Sequence, residues 1–539
     1  MTYDIALMML TIWKFIKKYS MPILSGILIG VSYIPFSIGT LWICYLPLFI
    51  YLAKEDLVPK ETFIAGWLTQ FVLTLIGFHW IAYTAHEFGS FPWVLAVITL
   101  LLFSSFMHIY IPIAVTFAQW IRQKRQLSAG KTLFVMALCL SLLERIWPSI
   151  FPWNLGYALL WNKNSEPIYN LADVIGFLGL STLIFLNNAT LALFVIRTGK
   201  RRWWLIAATV AVHIMLYLAG NLQKKNWDRT DSEVNFLAIQ SNIGNAEKIQ
   251  AEKGRGYQDF IVQKFLTDSK TGIEKFPQTD ILIWPETAIP YFMDLNFHEH
   301  KYPQMIEAGF AEIKKPLLSG AYSKDLSVKD LDRSVFNALF LLDEQARPLG
   351  LPYRKTHLLA FGEYLPFSDS FPILLKWLPF VANFGRGHGP VILSWPRSPE
   401  DTVRFGGQIC YEGLYPEFSR ELAKKETQIL VNVTNDSWFG KYFEPNQHMT
   451  MTFARAIETR RPLIRSTNTG ITSAILANGD ILEKSPTHET WVGAFKIKYL
   501  KSPPQTFYVL YGHWDWLLWT LLLVAIIWRG SSRARHAKS

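Results

Sequence analysis

Three polar stretches of the chain contain side chains that could together perform acyl transfer. ILIWPETAIP places Glu286 directly after an apolar run, and RFGGQICYEGLYPEF is centred on Cys410. Between them, YRKTHLLAFGEYLPF contains Lys355 and Glu363. Acyl transfer needs a nucleophile, a base that takes and returns its proton, and donors that stabilise the tetrahedral oxyanion. Glutamate, lysine and cysteine can fill these roles.

Each of these residues also has an ordinary structural interpretation. Cys410 lies between a β-type run and a helix-compatible segment, a corner that suits a nucleophile, yet free cysteine is among the most buried residue types. Glu286 could cap a turn, and Lys355 could form a surface ion pair. His357 is an alternative base, because histidine commonly activates a cysteine.

The cysteine pattern predicts neither a disulfide framework nor a metal centre. Cys44 and Cys139 lie in apolar runs, so Cys410 is the only cysteine in polar sequence. The sequence lacks the His/Cys spacing that is typical of metal sites. We therefore expect no metal and no other cofactor.

The composition indicates a membrane protein. Of 539 residues, 50% are hydrophobic and only 18% are charged. A spanning helix needs about 20 mostly apolar residues, and eight apolar runs approach that length. They cover residues 21–37, 39–54, 62–84, 92–121, 131–147, 172–196, 203–220 and 513–528. We expect a polytopic α-helical domain with eight transmembrane helices, the first of them an uncleaved segment.

Basic residues concentrate in the loops on one side of these runs, which the positive-inside rule assigns to the cytoplasm. They are Lys14, Lys17, Lys18, Lys54, Lys60, Arg122, Lys124, Arg125, Lys131, Arg197, Lys200, Arg201 and Arg202, with Arg529, Arg533, Arg535 and Lys538 after the last run. The opposite loops before residue 221 carry only Arg145 and Lys163. This topology explains the net charge of +11 without a nucleic-acid partner.

Two ionisable residues, Glu144 and Arg145, lie near the outer end of the fifth run. Such residues often mark functional sites in membrane proteins. We favour a Glu144–Arg145 pair within an interfacial aromatic belt, with a lipid-facing entrance as the alternative.

Residues 221–512 are predicted to form an α/β domain, because β-type runs alternate with helix-compatible segments. The strands are expected at 234–243, 281–284, 316–322, 335–342, 403–410, 428–433, 462–466 and 471–477, and helices at 247–276, 416–425 and 446–460. The expected domains are thus a membrane domain at 1–220, a catalytic domain at 221–512 and an eighth span with a basic tail at 513–539.

The settings of the three candidate residues resemble those of the nitrilase, or carbon–nitrogen hydrolase, superfamily. The matching segments are WPETA at 284–288, YRKTHLLAFGEYLP at 353–366 and ICYEGLYPE at 409–417. With the membrane helices, the whole chain resembles the apolipoprotein N-acyltransferase family, and the likeness extends through NVTNDSWFG and ARAIETRRPLIRSTNTGIT.

The resemblance implies a four-layer αββα nitrilase-like domain and assigns roles to six residues. Glu286 would be the general base, Lys355 would stabilise the tetrahedral intermediate, and Cys410 would be the nucleophile. The supporting residues would be Glu363, Tyr411 and Glu412, with the Tyr411 N–H a second oxyanion donor.

The implied reaction is ping-pong. Cys410 would take an acyl chain from a phospholipid, typically phosphatidylethanolamine, and the thioester would acylate the α-amine of a diacylglyceryl-cysteine apolipoprotein. The enzyme would lie in the bacterial inner membrane with its catalytic domain on the periplasmic face. An amidase that uses water as acceptor, and a scaffold without activity, are the alternatives.

Two further features bear on lipid contact. Many members of the family carry a tryptophan in the segment that here reads QSNIGNAEKIQAEK, where Ile249 is the nearest apolar residue. Trp438, Phe439 and Phe443 could form a lipid-contacting loop, with core packing as the alternative.

Overall fold

In the computed structural model the N-terminal region is built of helices. The structure describes residues 2–36, 38–54, 57–161, 167–244, 257–294, 301–331, 333–377, 381–441 and 443–536. The helices are α1 Thr2–Lys18, α2 Ser20–Gly30, α3 Leu46–Leu52, α4 Pro59–Gly77, α5 Trp80–Glu87, α6 Trp93–Phe106, α7 Tyr110–Arg125, α8 Ala129–Ile146, α9 Tyr157–Trp161, α10 Ala172–Ile196 and α11 Trp203–Asn226. Ile249, in the segment without tryptophan, lies outside the described residues.

Three helical segments of the described chain are long and apolar enough to cross a membrane. They are Trp93–Arg125, Ile168–Ile196 and Lys200–Asn226. Helices α4 and α5 together make a fourth candidate, bent by 60°. The apolar runs predicted at 21–37 and 39–54 form shorter helices, and the run at 92–121 divides into α6 and α7.

Small residues and polar side chains hold the membrane helices together. A Cβ at Gly66 would lie 2.6 Å from Pro112 Cα, so glycine allows α4 and α7 to approach closely. The predicted ion pair between Glu144 and Arg145 is wrong. Arg145 instead pairs with Asp515 at 2.5 Å, because its side chain reaches the start of the C-terminal helix, while Glu144 accepts a hydrogen bond from a tyrosine.

The domain that follows contains two β-sheets. Its strands are β1 Ser232–Gln240, β2 Ile281–Ile283, β3 Ile289–Phe292, β4 Leu317–Lys324, β5 Val335–Leu342, β6 Tyr353–Arg354, β7 Ile392–Ser398, β8 Asp401–Ile409, β9 Ile429–Thr434, β10 Leu463–Thr467, β11 Ser473–Ile475 and β12 Trp491–Tyr499. The first sheet has the order β12-β1-β2-β4-β5-β6, with β3 beside β4, and the second has the order β11-β10-β9-β8-β7. Strands β1, β2 and β4 are parallel, as are β8, β9 and β10.

The two sheets pack face to face between layers of helices. The helices are α12 Tyr257–Lys275, α13 Lys301–Ile313, α14 Ile373–Trp377, α15 Pro416–Lys424, α16 Glu444–Thr459, α17 Phe507–Tyr511 and α18 Asp515–His536. Between the sheets, the rings of Phe236 and Phe405 lie 5.8 Å apart. On the outer face of the first sheet, Trp284 packs against Phe265 of α12 and Phe310 of α13. Helices α15 and α16 cover the other sheet, so the predicted αββα layering is confirmed.

Helix α16 joins this domain to the membrane helices. All of its side chains except Asn446 are buried, so the buried polar groups on it need partners. Gln447 donates to the carbonyls of Ile34 and Gly77 at 2.9 and 2.8 Å. Just beyond the helix, Arg460 pairs with Asp173 of α10 at 2.9 Å. The two sheets therefore sit directly against one end of the helices of the N-terminal region.

Candidate active site

The candidate catalytic residues lie where strands of the two sheets end. Glu286 follows β2, Lys355 follows β6 and Cys410 follows β8. Ligand sites of α/β sheets form at the carboxyl ends of their parallel strands, because the loops there converge. The sandwich brings the ends of strands from both sheets together, so that Cys410 interacts electrostatically with both Glu286 and Lys355.

A buried cluster of charges surrounds the Lys355 ammonium. Its Nζ donates to Glu363 Oε1 at 2.7 Å and lies 3.3 Å from Glu286 Oε1. The Asn337 amide donates to the same two oxygens, at 3.3 and 2.7 Å. The second oxygen of Glu286 accepts from the Asn435 N–H at 3.0 Å. Glu286 is thus held by three separate donors, which fixes the direction of its carboxylate.

The neighbours of Lys355 keep it charged. Its side chain is only 1% exposed, and burial alone would lower its pKa. The negative charges of Glu363 and Glu286 outweigh the burial and raise the pKa above its usual value. Lys355 is therefore a buried cation that interacts electrostatically with Cys410, and such a cation can stabilise an oxyanion.

Cys410 occupies a tight corner between β8 and a short 3-10 turn, Cys410–Leu414. Its φ of 52° lies in the left-handed region, which is strained for a residue with a Cβ. Burial raises the pKa of its thiol well above the usual value, and Glu286 acts in the same direction. Lys355 and a hydrogen bond with Thr434 oppose that shift. The sulfur is therefore a thiol at neutral pH and needs a base before it can attack.

Glu412 is fully buried and ties the corner to the loop that carries Lys355. Its Oε1 accepts from the Tyr353 hydroxyl at 2.5 Å and from the N–H groups of Thr356 and His357 at 2.7 and 2.9 Å. Its Oε2 accepts from the Ile409 N–H at 2.8 Å. Burial raises the pKa of Glu412 to about 7, although these donors oppose the shift. Glu412 therefore orients the backbone around Cys410 and Lys355 rather than acting beside the thiol.

The remaining two candidates point away from the charge cluster. The Tyr411 hydroxyl donates to the Ile150 carbonyl, which lies between the membrane helices. The His357 ring stacks on Tyr415 at 4.7 Å and contacts Phe418 at 5.5 Å. No hydrogen bond joins this ring to Cys410 in the described part of the chain. Glu286 interacts electrostatically with Cys410, and this interaction favours it over His357 as the base.

The aromatic residues proposed for lipid contact pack on the membrane helices. Phe439 is buried against Trp80, with ring centroids 5.3 Å apart, whereas Trp438 is 39% exposed beside Phe88. Phe443 contacts His79 at 4.0 Å. Core packing is thus the correct interpretation for Phe439.

The sequence interpretation did not identify three residues of the site. Asn337, Thr434 and Asn435 all contact the candidate catalytic groups, and all three are buried. Asn337 interrupts the apolar strand VFNALFLL, and a lone amide inside such a strand is a usable signal. The other two stand at the end of β9, where only the fold brings Thr434 to Cys410 and Asn435 to Glu286.

A cavity of about 300 Å³ lies between the membrane helices and the turn after Cys410. Glu144 and Arg145 line it from α8, and Tyr415 and Glu417 line it from the domain. Tyr415 also contacts Tyr411, with ring centroids 5.2 Å apart. The predicted ionisable residues thus lie at the junction between the two parts of the molecule.

Together these groups can perform nucleophilic acyl transfer. The site contains a thiol, a fixed carboxylate that can accept its proton, and a permanent cation for the oxyanion. The same set could serve hydrolysis if water were the acceptor, so the geometry alone does not select the second substrate.

Comparison with known proteins covers both parts of the chain. Residues 239–498 match the carbon-nitrogen hydrolase family, and residues 25–190 match the apolipoprotein N-acyltransferase N-terminal domain. The two matches therefore divide between the sandwich domain and the membrane helices.

Whole-length relatives give the same result. The apolipoprotein N-acyltransferase of Bdellovibrio bacteriovorus is 55% identical over 96% of this chain and 94% of its own length. The apolipoprotein N-acyltransferase of Geobacter metallireducens is 28% identical over 95% of this chain and 94% of its own. That of Haemophilus ducreyi is 27% identical over 96% of this chain and 97% of its own.

Proposed function

The chain belongs to the apolipoprotein N-acyltransferase family, and we propose that its catalytic group is the Glu286–Lys355–Cys410 set at the edge of the sandwich. It is an acyltransferase that N-acylates lipoproteins, with a phospholipid as the acyl donor. The product of this reaction is the mature triacylated lipoprotein.

In the first half-reaction Glu286 takes the proton of the Cys410 thiol, and the sulfur attacks an ester carbonyl of the phospholipid. The oxyanion forms beside the Lys355 ammonium and the Tyr411 N–H. The ester C–O bond then breaks, Glu286 returns the proton to the leaving oxygen, and a lysophospholipid departs. The acyl chain remains on Cys410 as a thioester.

In the second half-reaction the α-amine of diacylglyceryl-cysteine attacks the thioester. Glu286 takes a proton from the amine, the oxyanion forms at the same donors, the C–S bond breaks, and Glu286 passes the proton to the leaving sulfur. The products are an amide on the lipoprotein and the free thiol. The ping-pong order suits two membrane-anchored substrates, since each uses the same surface in turn.

The observation that carries this proposal is the Lys355 ammonium held between Glu363 and Glu286 at 2.7 and 3.3 Å. When Glu286 takes the thiol proton its negative charge is lost and reappears on the oxyanion, so Lys355 faces two negative charges before and after the attack. A purely structural ion pair would need only one carboxylate, and burial of charge is costly without a function.

We further propose a topology of eight transmembrane helices, with domains at 1–220, 221–512 and 513–539. The basic loops place the N-terminus in the cytoplasm and the sandwich on the periplasmic face of the inner membrane. Phosphatidylethanolamine is the proposed donor. The orientation can be tested with Lys163→Cys and Lys200→Cys variants and a thiol reagent that does not cross the membrane. Only the cysteine at position 163 should react from the periplasm.

The proposed function can be tested in cells. The wild-type chain and a Cys410→Ala variant are expressed in a bacterium with conditional loss of its own acyltransferase, and lipoprotein N-termini are determined by mass spectrometry. We expect N-acylated termini only with the wild-type chain. Free amines with the wild type would contradict the acyltransferase assignment, and N-acylation by Cys410→Ala would exclude Cys410 as the nucleophile.

A further inference from the structure

A buried polar cluster lies beside the Cys410 corner, between β9, β10 and α16, and has no role in the steps above. It consists of Asn432, Asp436, Glu444, His448 and Arg465, and all five side chains are buried. They come from β9, the turn after it, α16 and β10. Burying five polar side chains is costly, so their contacts should have a purpose.

Two members of this cluster hold the Cys410 carbonyl. Asn432 Nδ2 donates to it at 3.2 Å, and His448 Nε2 lies 3.3 Å from it. Arg465 fixes the other end of Asn432 through a 2.8 Å bond to Oδ1. Asp436 lies 3.0 Å from His448 Nδ1 and 2.6 Å from Arg465 Nη2. The carbonyl is therefore held by two donors that are themselves oriented by a second set of bonds.

Peptide geometry connects this carbonyl to the reaction. The peptide between Cys410 and Tyr411 is trans, so its C=O and N–H point in opposite directions. Asn432 and His448 bind the carbonyl, so the Tyr411 N–H points to the opposite side of the peptide, away from these two residues. The same two bonds also help to hold Cys410 in its strained conformation with positive φ.

We propose that Asn432 and His448 are positioning residues that aim the Tyr411 N–H at the oxyanion of both half-reactions. This inference rests on the proposed function, because it takes Cys410 as the nucleophile. It adds residues that never touch substrate and yet set the strength of one oxyanion donor.

Protonation in the cluster is consistent with this role. Burial and Arg465 lower the pKa of His448, whereas Asp436 and the Cys410 carbonyl, the acceptors that face its two ring nitrogens, oppose that shift. Nδ1 lies 3.0 Å from Asp436 Oδ1 and Nε2 lies 3.3 Å from the carbonyl, so each nitrogen is placed to donate. Burial and the charge of Asp436 raise the pKa of Glu444, whose Oε1 lies 3.4 Å from His448 Nδ1.

A metal ion is the competing explanation, because Asp436, Glu444 and His448 present three ligand atoms within 4.8 Å of one another. The Arg465 guanidinium, 2.6 Å from Asp436, disfavours a second cation there. His448 Nε2 is also engaged with a carbonyl. A hydrogen-bonded network with Arg465 as its cation therefore explains the arrangement better than a metal.

The test compares two reactions of the same thiol in the purified full-length enzyme. Acyl transfer from phosphatidylethanolamine to a diacylglyceryl peptide passes through an oxyanion, whereas alkylation of Cys410 by iodoacetamide does not. For His448→Leu and Asn432→Leu we expect kcat to fall about 10- to 100-fold, because losing an oxyanion donor outright costs 10²- to 10³-fold. The alkylation rate and the KM for phospholipid should stay within about threefold.

Conservative variants and a control complete the design. His448→Gln keeps an N–H donor, and Glu444→Gln keeps the uncharged state that the raised pKa of Glu444 favours, so both should retain transfer within about fivefold. Thr450→Val, a buried change on the same helix, controls for general loosening of α16 and should match the wild type.

Several outcomes would overturn the proposal. One is full transfer by both leucine variants, and another is a parallel loss of alkylation. A third is an inactive Glu444→Gln variant together with a wild type that loses activity on chelation and regains it when Zn²⁺ or Mn²⁺ is added. Failure of the proposed function is distinguishable, since it would appear as transfer by Cys410→Ala whatever the His448 variants do.

Discussion

Replacing Lys355 by methionine should separate the structural role of its charge from its catalytic role. The change leaves Glu286 and Glu363 buried beside each other with only the Asn337 amide between them. Removing one partner of a buried ion pair costs about 3–5 kcal/mol. For a domain of this size that corresponds to a fall in melting temperature of roughly 6–20 °C.

A second substitution should recover the stability but not the activity. Glu363→Gln in the Lys355→Met background removes one of the two facing charges, so most of the lost melting temperature should return. Acyl transfer should stay at background, because no cation remains for the oxyanion. The raised pKa of Lys355 means that its contribution to stability is fully present at neutral pH and is lost only above its usual value of 10.5.

The measurements are thermal unfolding in detergent and acyl transfer to a diacylglyceryl peptide, both at pH 7. Glu363→Gln alone is the matched control and should be the milder single variant, because Lys355 and Glu286 still form a pair. A stable Lys355→Met protein, or a double variant that transfers acyl chains, would refute this interpretation of the cluster.

Three other predictions concern the same site. The raised pKa of the Cys410 thiol means that its alkylation by iodoacetamide should still accelerate between pH 9 and 10, where an ordinary cysteine levels off, and a plateau near pH 8 would contradict it. Asn337→Leu removes hydrogen bonds worth about 1.5–3 kcal/mol to charged carboxylates and should lower kcat about 10- to 100-fold, with unchanged activity counting against its role. Glu286→Gln should lower kcat about 10²- to 10⁴-fold, whereas His357→Phe, which keeps the stacking on Tyr415, should stay within threefold, and the reverse order would make His357 the base.

The strands with continuous apolar runs were predictable because burial on both faces leaves a direct mark on the sequence. VFNALFLL was expected at 335–342 and forms β5 at those residues. β12 was missed although its alternation, with Lys496 and Lys498 on the exposed face, is the pattern of a strand with one buried face. β6 has two residues, whose pairing with β5 depends on the fold rather than on local preference.

The same distinction applies to the site. Glu286, Lys355 and Cys410 stand beside recognisable runs, so residue type and setting were enough to select them as candidates. His448 was not selected, because on the sequence it is one polar residue on a helix with packing spacing. His448 has this partner only because the fold brings α16 to the Cys410 corner, where Nε2 lies 3.3 Å from the Cys410 carbonyl oxygen. The pairing of Arg145 with Asp515, 370 positions away, was likewise beyond local patterns.

The most direct measurement is mass spectrometry of the enzyme after incubation with phosphatidylethanolamine and no acceptor. A thioester mechanism predicts one added acyl chain on the peptide that contains Cys410, released by hydroxylamine and lost when a diacylglyceryl peptide is added. Continued transfer without any adduct on Cys410, or an adduct on another residue that the acceptor discharges, would contradict it.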